Sequence, residues 1–386
     1  MPHKRTVLVA LTDTHHGFFR GIARYAKEHN WHLATDMIYT AHIPHGWRGD
    51  GIISFIGYWD ELANFIVRSP LPKVELTLVR SDLDLPRVDT DNVSMGRLAA
   101  EHFLARNFKN FAWLPFANNI ISEERCAGFR HTLKQHGFDC TILPVAHELG
   151  QSDKTFAWNW EQQRQQLIDA LNQLPRPIGI FCYNDCIAAD LVDACQEAGL
   201  LVPEEVAIIG VDNDPIICEC VSVPLSSVMN DLEGVAYEGA ALLDRLMNGE
   251  PPPNELLRVQ PKGVVTRKST DILAVDNVQV AKALRAIWEN YTDSNLSVLD
   301  VVAATELSRR SLERAFLEEM RHTIQKEVLR VRMEEVQRLL ITSDASVAEI
   351  SELTGFARPN HLFRIFRTIH GMSPREWRQG NRKQSI

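Results

Sequence analysis

The stretch "IGIFCYNDCIAADLVDACQEAGLLVPEEVAIIGVDNDP", residues 178–215, decides the fold. Its first run, Ile178–Cys182, and its later run, Val206–Val211, are short and apolar throughout, and the segment 186–198 between them has apolar residues at helical spacing. A strand that is apolar on both faces has to be covered on both faces, which a parallel sheet flanked by helices achieves. The same unit recurs upstream. Val7–Leu11 precedes a helix-like 19–29, Gly51–Phe55 precedes 60–68, and Phe111–Leu114 precedes 123–136. One group of units lies before about residue 100 and another between 110 and 225. This predicts an α/β fold of two doubly wound parallel-sheet lobes.

The chain of 386 residues suits two or three domains, and its 45% apolar and 24% charged content is that of a soluble globular protein. No apolar run approaches the ~18 residues of a membrane span. The run after Lys4 and Arg5 is broken at once by Thr12 and Asp13, so it reads as a first strand and not as an export signal, and the cytoplasm is the expected compartment. Seven cysteines, an odd number, lie between Cys126 and Cys220 with spacings too close for a zinc site, so free thiols are expected. His15 and His16 read as polar loop residues; no metal and no cofactor is expected.

Charge is unevenly shared. Residues 278–386 hold 17 Lys and Arg against 14 Asp and Glu, while the first 277 hold 24 against 36. An acidic body will not attract DNA through its bulk field, but a local basic surface can.

The basic piece is helical and internally repeated. "VLDVVAATELSRRSLERAF" (298–316) and "VAEISELTGFARPNHLFRIF" (347–366) align at an offset of 49 through Arg309/Arg358. One extra residue in the second copy then makes the offset 50, matching Leu312/Leu362, Arg314/Arg364 and Phe316/Phe366. Each copy has a helix, a tight break and a second helix with a basic outer face, which is a helix-turn-helix unit. Ile324 to Leu340 reads as one amphipathic helix between them. Leu362, Phe363, Phe366 and Ile369 are the expected buried stripe of the last recognition helix. Ser308, Arg309, Arg310 and Arg314 in the first unit, and Arg358, Asn360, His361, Arg364 and Arg367 in the second, are the candidate DNA-binding residues. Arg and Asn suit guanine and adenine edges in the major groove. "NGEPPPNE" (248–255) reads as a loop. The expected domains are a ligand domain over 1–268, a linker over 269–277, and a DNA-binding domain over 278–386.

On "ISELTGF" (350–356), then Leu362, Phe363, Arg364 and Phe366, then "GMSP" and Trp377, residues 280–380 resemble the AraC/XylS-type DNA-binding domain. Arg321 and Ile324 depart from the Gly and Pro usual in its first unit. On "HHGFF" (15–19), "VDTDNVSMGRLAAEHFLARNFKNFAWL" (88–114), "ERCAGFRHTL" (124–133), the opening stretch and "PLSSV" (224–228), the first 268 residues resemble the LacI/ribose-binding-type ligand domain, a periplasmic-binding-protein type I fold. Together, in this order, they resemble the XylR-type xylose-operon regulators. The resemblance implies a sugar site containing Phe18, Phe19, Asp91, Arg125, Asn184, Asp185 and Asp212 at the C-terminal ends of the strands. An aromatic pair would clamp the sugar's apolar face while charged groups meet its hydroxyls. Phe18 and Phe19 open a helix, so either is a clamp or core; Asp91 and Asp185 are either acceptors or helix caps and supporting partners. Tyr58, Trp59, Trp158 and Trp160 either line the cleft mouth or pack.

Enzyme fingerprints are missing from the sequence: there is no Gly-x-Gly-x-x-Gly between strand and helix and no Gly-x-Ser-x-Gly elbow. The expected function is therefore a non-enzymatic, sugar-responsive regulator, an activator of pentose genes. Its expected partners are D-xylose, DNA with repeated half-sites, a second copy of itself in a homodimer, and RNA polymerase, with no membrane. The alternative is a sugar receptor or carrier whose helical module engages a protein.

Overall fold

The computed structural model describes residues 4–12, 16–40, 42–116, 119–143, 160–272, 274–275, 277–343 and 345–382. His15 and Trp158, and the side chain of Trp160, lie outside the described residues. The chain divides into two compact units between Asp271 and Ile272.

The first unit alternates strand and helix: β1 (Thr6–Leu11), α1 (His16–Glu28), β2 (His32–Ala34), α2 (Asp36–Thr40), β3 (Gly51–Phe55), α3 (Asp60–Arg68), β4 (Lys73–Leu76) and β5 (Arg87–Thr90). It continues with α4 (Asn92–Leu104), β6 (Asn110–Leu114), α5 (Ile120–Gln135), β7 (Thr141–Ile142), α6 (Trp160–Asn172), β8 (Ile178–Cys182), α7 (Asp185–Glu197) and β9 (Val206–Val211). It ends with α8 (Pro215–Cys220), β10 (Ser226–Val228), α9 (Leu232–Met247), β11 (Leu257–Val259) and β12 (Val264–Val265). Two sheets form, in the orders β11-β5-β4-β3-β1-β2 and β12-β10-β9-β8-β6-β7. All pairs are parallel except β10 with β12, an antiparallel edge that periodicity did not anticipate because β12 has only two residues. The chain passes between the two lobes three times, after β5, β10 and β11.

Burial explains the composition of the strands. Every residue of β8 and β9 is buried, and each fully buried Ile, Val or Phe side chain favours folding by about 1.5–3 kcal/mol before entropy. Helices α4 and α5 lie unusually close: a Cβ on Gly96 would sit 2.1 Å from the Arg125 carbonyl oxygen, and one on Gly128 would sit 2.0 Å from that of Val93. Only glycine permits this approach, and it brings the start of α5 against the start of α4. Residues 269 and 270, expected in the linker, belong to the core of the first unit. Ser269 Oγ donates to the Ile208 carbonyl (2.6 Å) and Thr270 Oγ1 to Ser226 Oγ (2.6 Å), so the hydroxyls are satisfied by the sheet they cover.

The second unit holds α10 (Val278–Asn290), α11 (Val298–Ala303), α12 (Arg309–Met320), α13 (Ile324–Thr342), α14 (Val347–Leu353), α15 (Pro359–His370) and α16 (Pro374–Arg382). The internal repeat is structural. Ser297 with Asp300 and Ser346 with Glu349 form the same reciprocal capping box, 49 residues apart; such a cap contributes about 1 kcal/mol. Helix α12 ends on Arg321 at φ 60° and α15 on Gly371 at φ 71°, so the left-handed cap persists where the first unit lacks glycine. Met333, Val336, Leu340, Ile350, Phe356, Leu362 and Phe366 form the core of the second helix-turn-helix, with Trp377 packed against it. Phe363 and Ile369, expected in the buried stripe, are exposed. The buried row is Leu362 and Phe366, four apart, and positions 363 and 369 fall on its flanks.

Candidate ligand cleft and candidate nucleic-acid interface

At the C-terminal ends of the strands, where the lobes face each other, polar side chains are joined in two chains of hydrogen bonds. Asp89, at the end of β5, is buried and accepts from the Thr90 amide (2.7 Å) and from Asn92 Nδ2 (3.0 Å). Asn92 Oδ1 in turn accepts from Arg125 Nε (3.1 Å), and Arg125 also donates to the Tyr183 carbonyl. The Arg125 guanidinium lies 4.9 Å from the centre of the Tyr183 ring, within cation–π range. The second chain runs from Thr90 Oγ1 to Asn230 Oδ1 (2.6 Å) and from Asn230 Nδ2 to Asp212 Oδ1 (3.1 Å). Asp212 follows β9 with φ 104°, a conformation costly for a residue with a Cβ.

Burial drives the electrostatics. It raises the Asp89 carboxyl to about 6, against the Thr90 amide, Arg125 and Asn92, which lower it. It raises the Tyr183 phenol to about 12, with Arg125 opposing and Tyr58, Asp212 and Asp89 adding to the rise. These groups therefore share one field, contributed by both lobes. At the rim, Asn119 Nδ2 donates to Tyr58 Oη (2.9 Å), the Phe116 and Tyr183 rings stack at 5.0 Å, and Arg258 of β11 pairs with Glu124 of α5 (2.6 Å).

Of the residues expected at the sugar site, Arg125 and Asp212 join this cluster. Asn184 sits at its edge as the N-cap of α7, accepting from the Ile187 amide. The others are placed elsewhere. Phe18 is 2% exposed and packs 5.6 Å from Phe55 in the first lobe's core, and Phe19 packs against that core. Asp91 caps α4, accepting from the Ser94 amide and hydroxyl and from Gln260. Asp185 is 1% exposed and accepts from Ser227 Oγ (2.7 Å) and the Asp214 amide (2.9 Å), so it ties β10 to the loop after β9. Trp59 packs on the first lobe. Asp89, Asn92, Tyr183 and Asn230 went unnoticed in the sequence. Asp89 carried a signal, a carboxylate inside a short strand; Asn230 carried none.

In the helical unit Arg309, Arg310, Arg314, Arg358, Asn360, His361, Arg364 and Arg367 are all exposed. Ser308 is exposed too, and its Oγ accepts from the Ser311 amide as the cap of α12. On α12 the arginines are partly neutralised, Arg309 by Glu313 (3.0 Å) and Arg314 by Glu318 (4.0 Å). Helix α15 contains no acidic residue. Among the described residues no helix is long and apolar enough to cross a membrane.

Comparison with known proteins gives the same division. A periplasmic binding protein-like domain matches residues 100–270 and a helix-turn-helix domain matches residues 301–380. The xylose operon regulatory protein of Escherichia coli (strain K12) is 28% identical, covering 94% of this chain and 93% of its own. That of Haemophilus influenzae is 28% identical over 76% and 74%. The structure of the xylose-binding transcription activator XylR aligns over 98% of this chain and 99% of its own, with TM-score 0.74 and 23% identity. A cellobiose complex of the regulator CelR aligns over 70% of this chain and 86% of its own, with TM-score 0.53. The chain thus joins a periplasmic binding protein-like ligand domain to a C-terminal AraC-type helix-turn-helix domain, the architecture of the xylose operon regulators that it resembles along nearly its whole length.

Proposed function

We propose that this chain is a sugar-responsive transcription regulator, an activator of xylose genes. It acts without catalysis: a pentose binds in the cleft and the helix-turn-helix pair binds DNA. The observation that carries this reading is the presence, in one chain, of a two-lobed cleft with convergent charged groups and a duplicated helix-turn-helix with exposed arginines. In this reading Asp89, Arg125, Asn184, Asp212 and Asn230 meet sugar hydroxyls, and Tyr183, with Phe116 and Tyr58, supplies the aromatic surface in place of Phe18. Charged hydrogen bonds to hydroxyls are worth about 1.5–3 kcal/mol each, which is enough to select one stereoisomer. D-xylose is the proposed ligand, as the names of the relatives suggest.

The proposed mechanism is linkage. The cluster draws on both lobes, so a bound sugar favours the closed arrangement by its differential affinity, and closure alters how paired helical units reach DNA. The ligand domain is proposed to end near residue 271 and the DNA-binding domain to begin near 278. A homodimer binding repeated half-sites and contacting RNA polymerase completes the reading. Titration calorimetry with D-xylose, L-arabinose, D-ribose and D-glucose, together with a gel-shift assay on upstream DNA with and without each sugar, tests it. Sugar binding that leaves DNA binding unchanged at every concentration sinks the regulator reading; failure of D-xylose alone sinks the choice of sugar.

A further inference from the structure

Among the described residues, the two helix-turn-helix units come together beside the helix that links them. Arg332 lies midway along α13; its Nε donates to the Tyr291 carbonyl (2.8 Å) and its Nη2 to the Asp293 carbonyl (2.7 Å). Tyr291 ends α10, and the loop from it runs to the Ser297 cap of α11, so these carbonyls belong to the leading edge of the first unit. Carbonyls at a helix end need partners outside the helix, and a guanidinium fork holds two at once in a fixed planar geometry that a freely rotating ammonium lacks. On the other side lies Gly355, in the turn between α14 and α15 of the second unit, at φ +73°. A Cβ there would stand 2.3 Å from the same Tyr291 carbonyl oxygen and 3.0 Å from Arg332 Nε. The guanidinium also lies 5.9 Å from the ring of Phe356, which is buried in the second unit's core. One carbonyl is thus held by Arg332 and grazed by Gly355.

We propose that Arg332 and Gly355 form a joint that sets the separation of the two reading helices, and with it the half-site spacing the chain accepts. The proposal rests on the DNA-binding reading above. Two recognition helices in successive major grooves require centres about 10 base pairs apart. A rigid pair gains by avidity only at that spacing, whereas a hinged pair spreads the gain over several. Arg332 is half-buried with its guanidinium committed to the first unit's carbonyls, so it acts through position, not by touching DNA.

The test is selection of random duplex DNA by the full-length chain with D-xylose, followed by sequencing. The wild type selects two boxes at a single spacing of about 10 base pairs. Arg332→Met and Arg332→Lys select the same boxes over several spacings. Their affinity for the fixed-spacing duplex falls roughly tenfold or more, toward that for a duplex with one box scrambled. Affinity for the one-box duplex stays at the wild-type value. Gly355→Ala, which pushes on the joint from the other side, broadens the spacing in the same way. If the variants keep a single spacing, or if one-box affinity falls as far as two-box affinity, the joint is overturned. If Arg332→Lys and Gly355→Ala both lose the helical signal in circular dichroism, the residues serve folding and the proposal falls as well. A wild type that selects only one box defeats the paired DNA-binding reading itself, a distinguishable outcome.

Discussion

Arg125 and Arg364 put the same side chain to opposite uses. Arg125 is 5% exposed, and its guanidinium is committed to Asn92, to the Tyr183 carbonyl and to the Tyr183 ring. Arg364 stands exposed on α15, a helix without an acidic residue. A buried charge is tolerated only when its hydrogen bonds are made in advance, so the cleft is organised before any ligand arrives. An exposed charge is screened and free to reorient, which suits a polyanion read largely through its phosphates. A milder version of this contrast divides the two helix-turn-helix units. Helix α12 carries Arg309, Arg310 and Arg314 against Glu313, Glu318 and Glu319, whereas α15 carries Arg364 and Arg367 with no acidic residue on the same helix.

The largest effect should come from breaking the pre-made pairing. Arg125→Ala leaves Asn92 and the Tyr183 carbonyl without their donor in a buried site, a loss on the order of 3–5 kcal/mol for a partner removed from a buried charged cluster. Scanning calorimetry should show the transition of the first unit falling steeply while that of the helical unit stays in place. A variant that melts like the wild type would mean the cleft is not pre-organised. Asp212→Ala comes next. Asp212 is only partly buried, so removing one charged hydrogen bond should cost about 1.5–3 kcal/mol of sugar affinity, roughly 10- to 150-fold by calorimetry. DNA affinity without sugar should not change, and unchanged sugar affinity would move the site elsewhere.

Burial also predicts a pH dependence from one carboxyl of the first unit. Glu75 is fully buried, accepting from Ser54 Oγ (2.5 Å) and from the Ile56 amide (3.0 Å). Burial raises its carboxyl to about 8, although both hydrogen bonds and the charges of Arg87 and Arg80 pull it down. From its ordinary 4.5 up to 8 the folded chain therefore holds a proton that the unfolded chain has lost. The stability contributed by this site is complete below 4.5 and is lost as pH rises through 8. Glu75→Gln, which mimics the protonated acid, should match the wild type in melting temperature at pH 5 and exceed it at pH 9. Equal melting at both would place no proton on Glu75.

The smallest effects belong to the exposed arginines. Arg364→Ala or Arg367→Ala should lower the salt slope of DNA binding by about 0.9 if the side chain meets one phosphate. Arg309→Ala or Arg314→Ala, each already paired with a glutamate on its own helix, should lower it by less. Equal slopes from α12 and α15 would erase the distinction between the units.

Much of the fold was legible because its signals are local. Ile178–Cys182 and Val206–Val211 are apolar on both faces, and a parallel sheet covered on both sides is the arrangement that buries them. The repeat at offsets 49 and 50 was visible because each unit spends the same residues on the same cap and the same buried row. The short strands β2, β7, β11 and β12 were not visible, since two or three residues carry no period.

The candidate site was only partly legible, for a different reason. Motif position alone left Phe18 open between clamp and core, and Asp91 and Asp185 open between sugar acceptor and cap or supporting partner, because side-chain direction is not written in a motif. Phe18 turns into the core, Asp91 turns back to cap α4, and Asp185 turns under β10 toward Ser227. Sequence by itself determined the alternation, the repeat and the uneven charge, because each depends on neighbours within a few residues. Tertiary structure alone decided that Asp89, Asn92, Arg125, Tyr183, Asp212 and Asn230 share one field. They come from six separate elements and connections spread over more than a hundred residues, and only the close approach of α4 and α5 at Gly96 and Gly128 lets Arg125 reach Asn92.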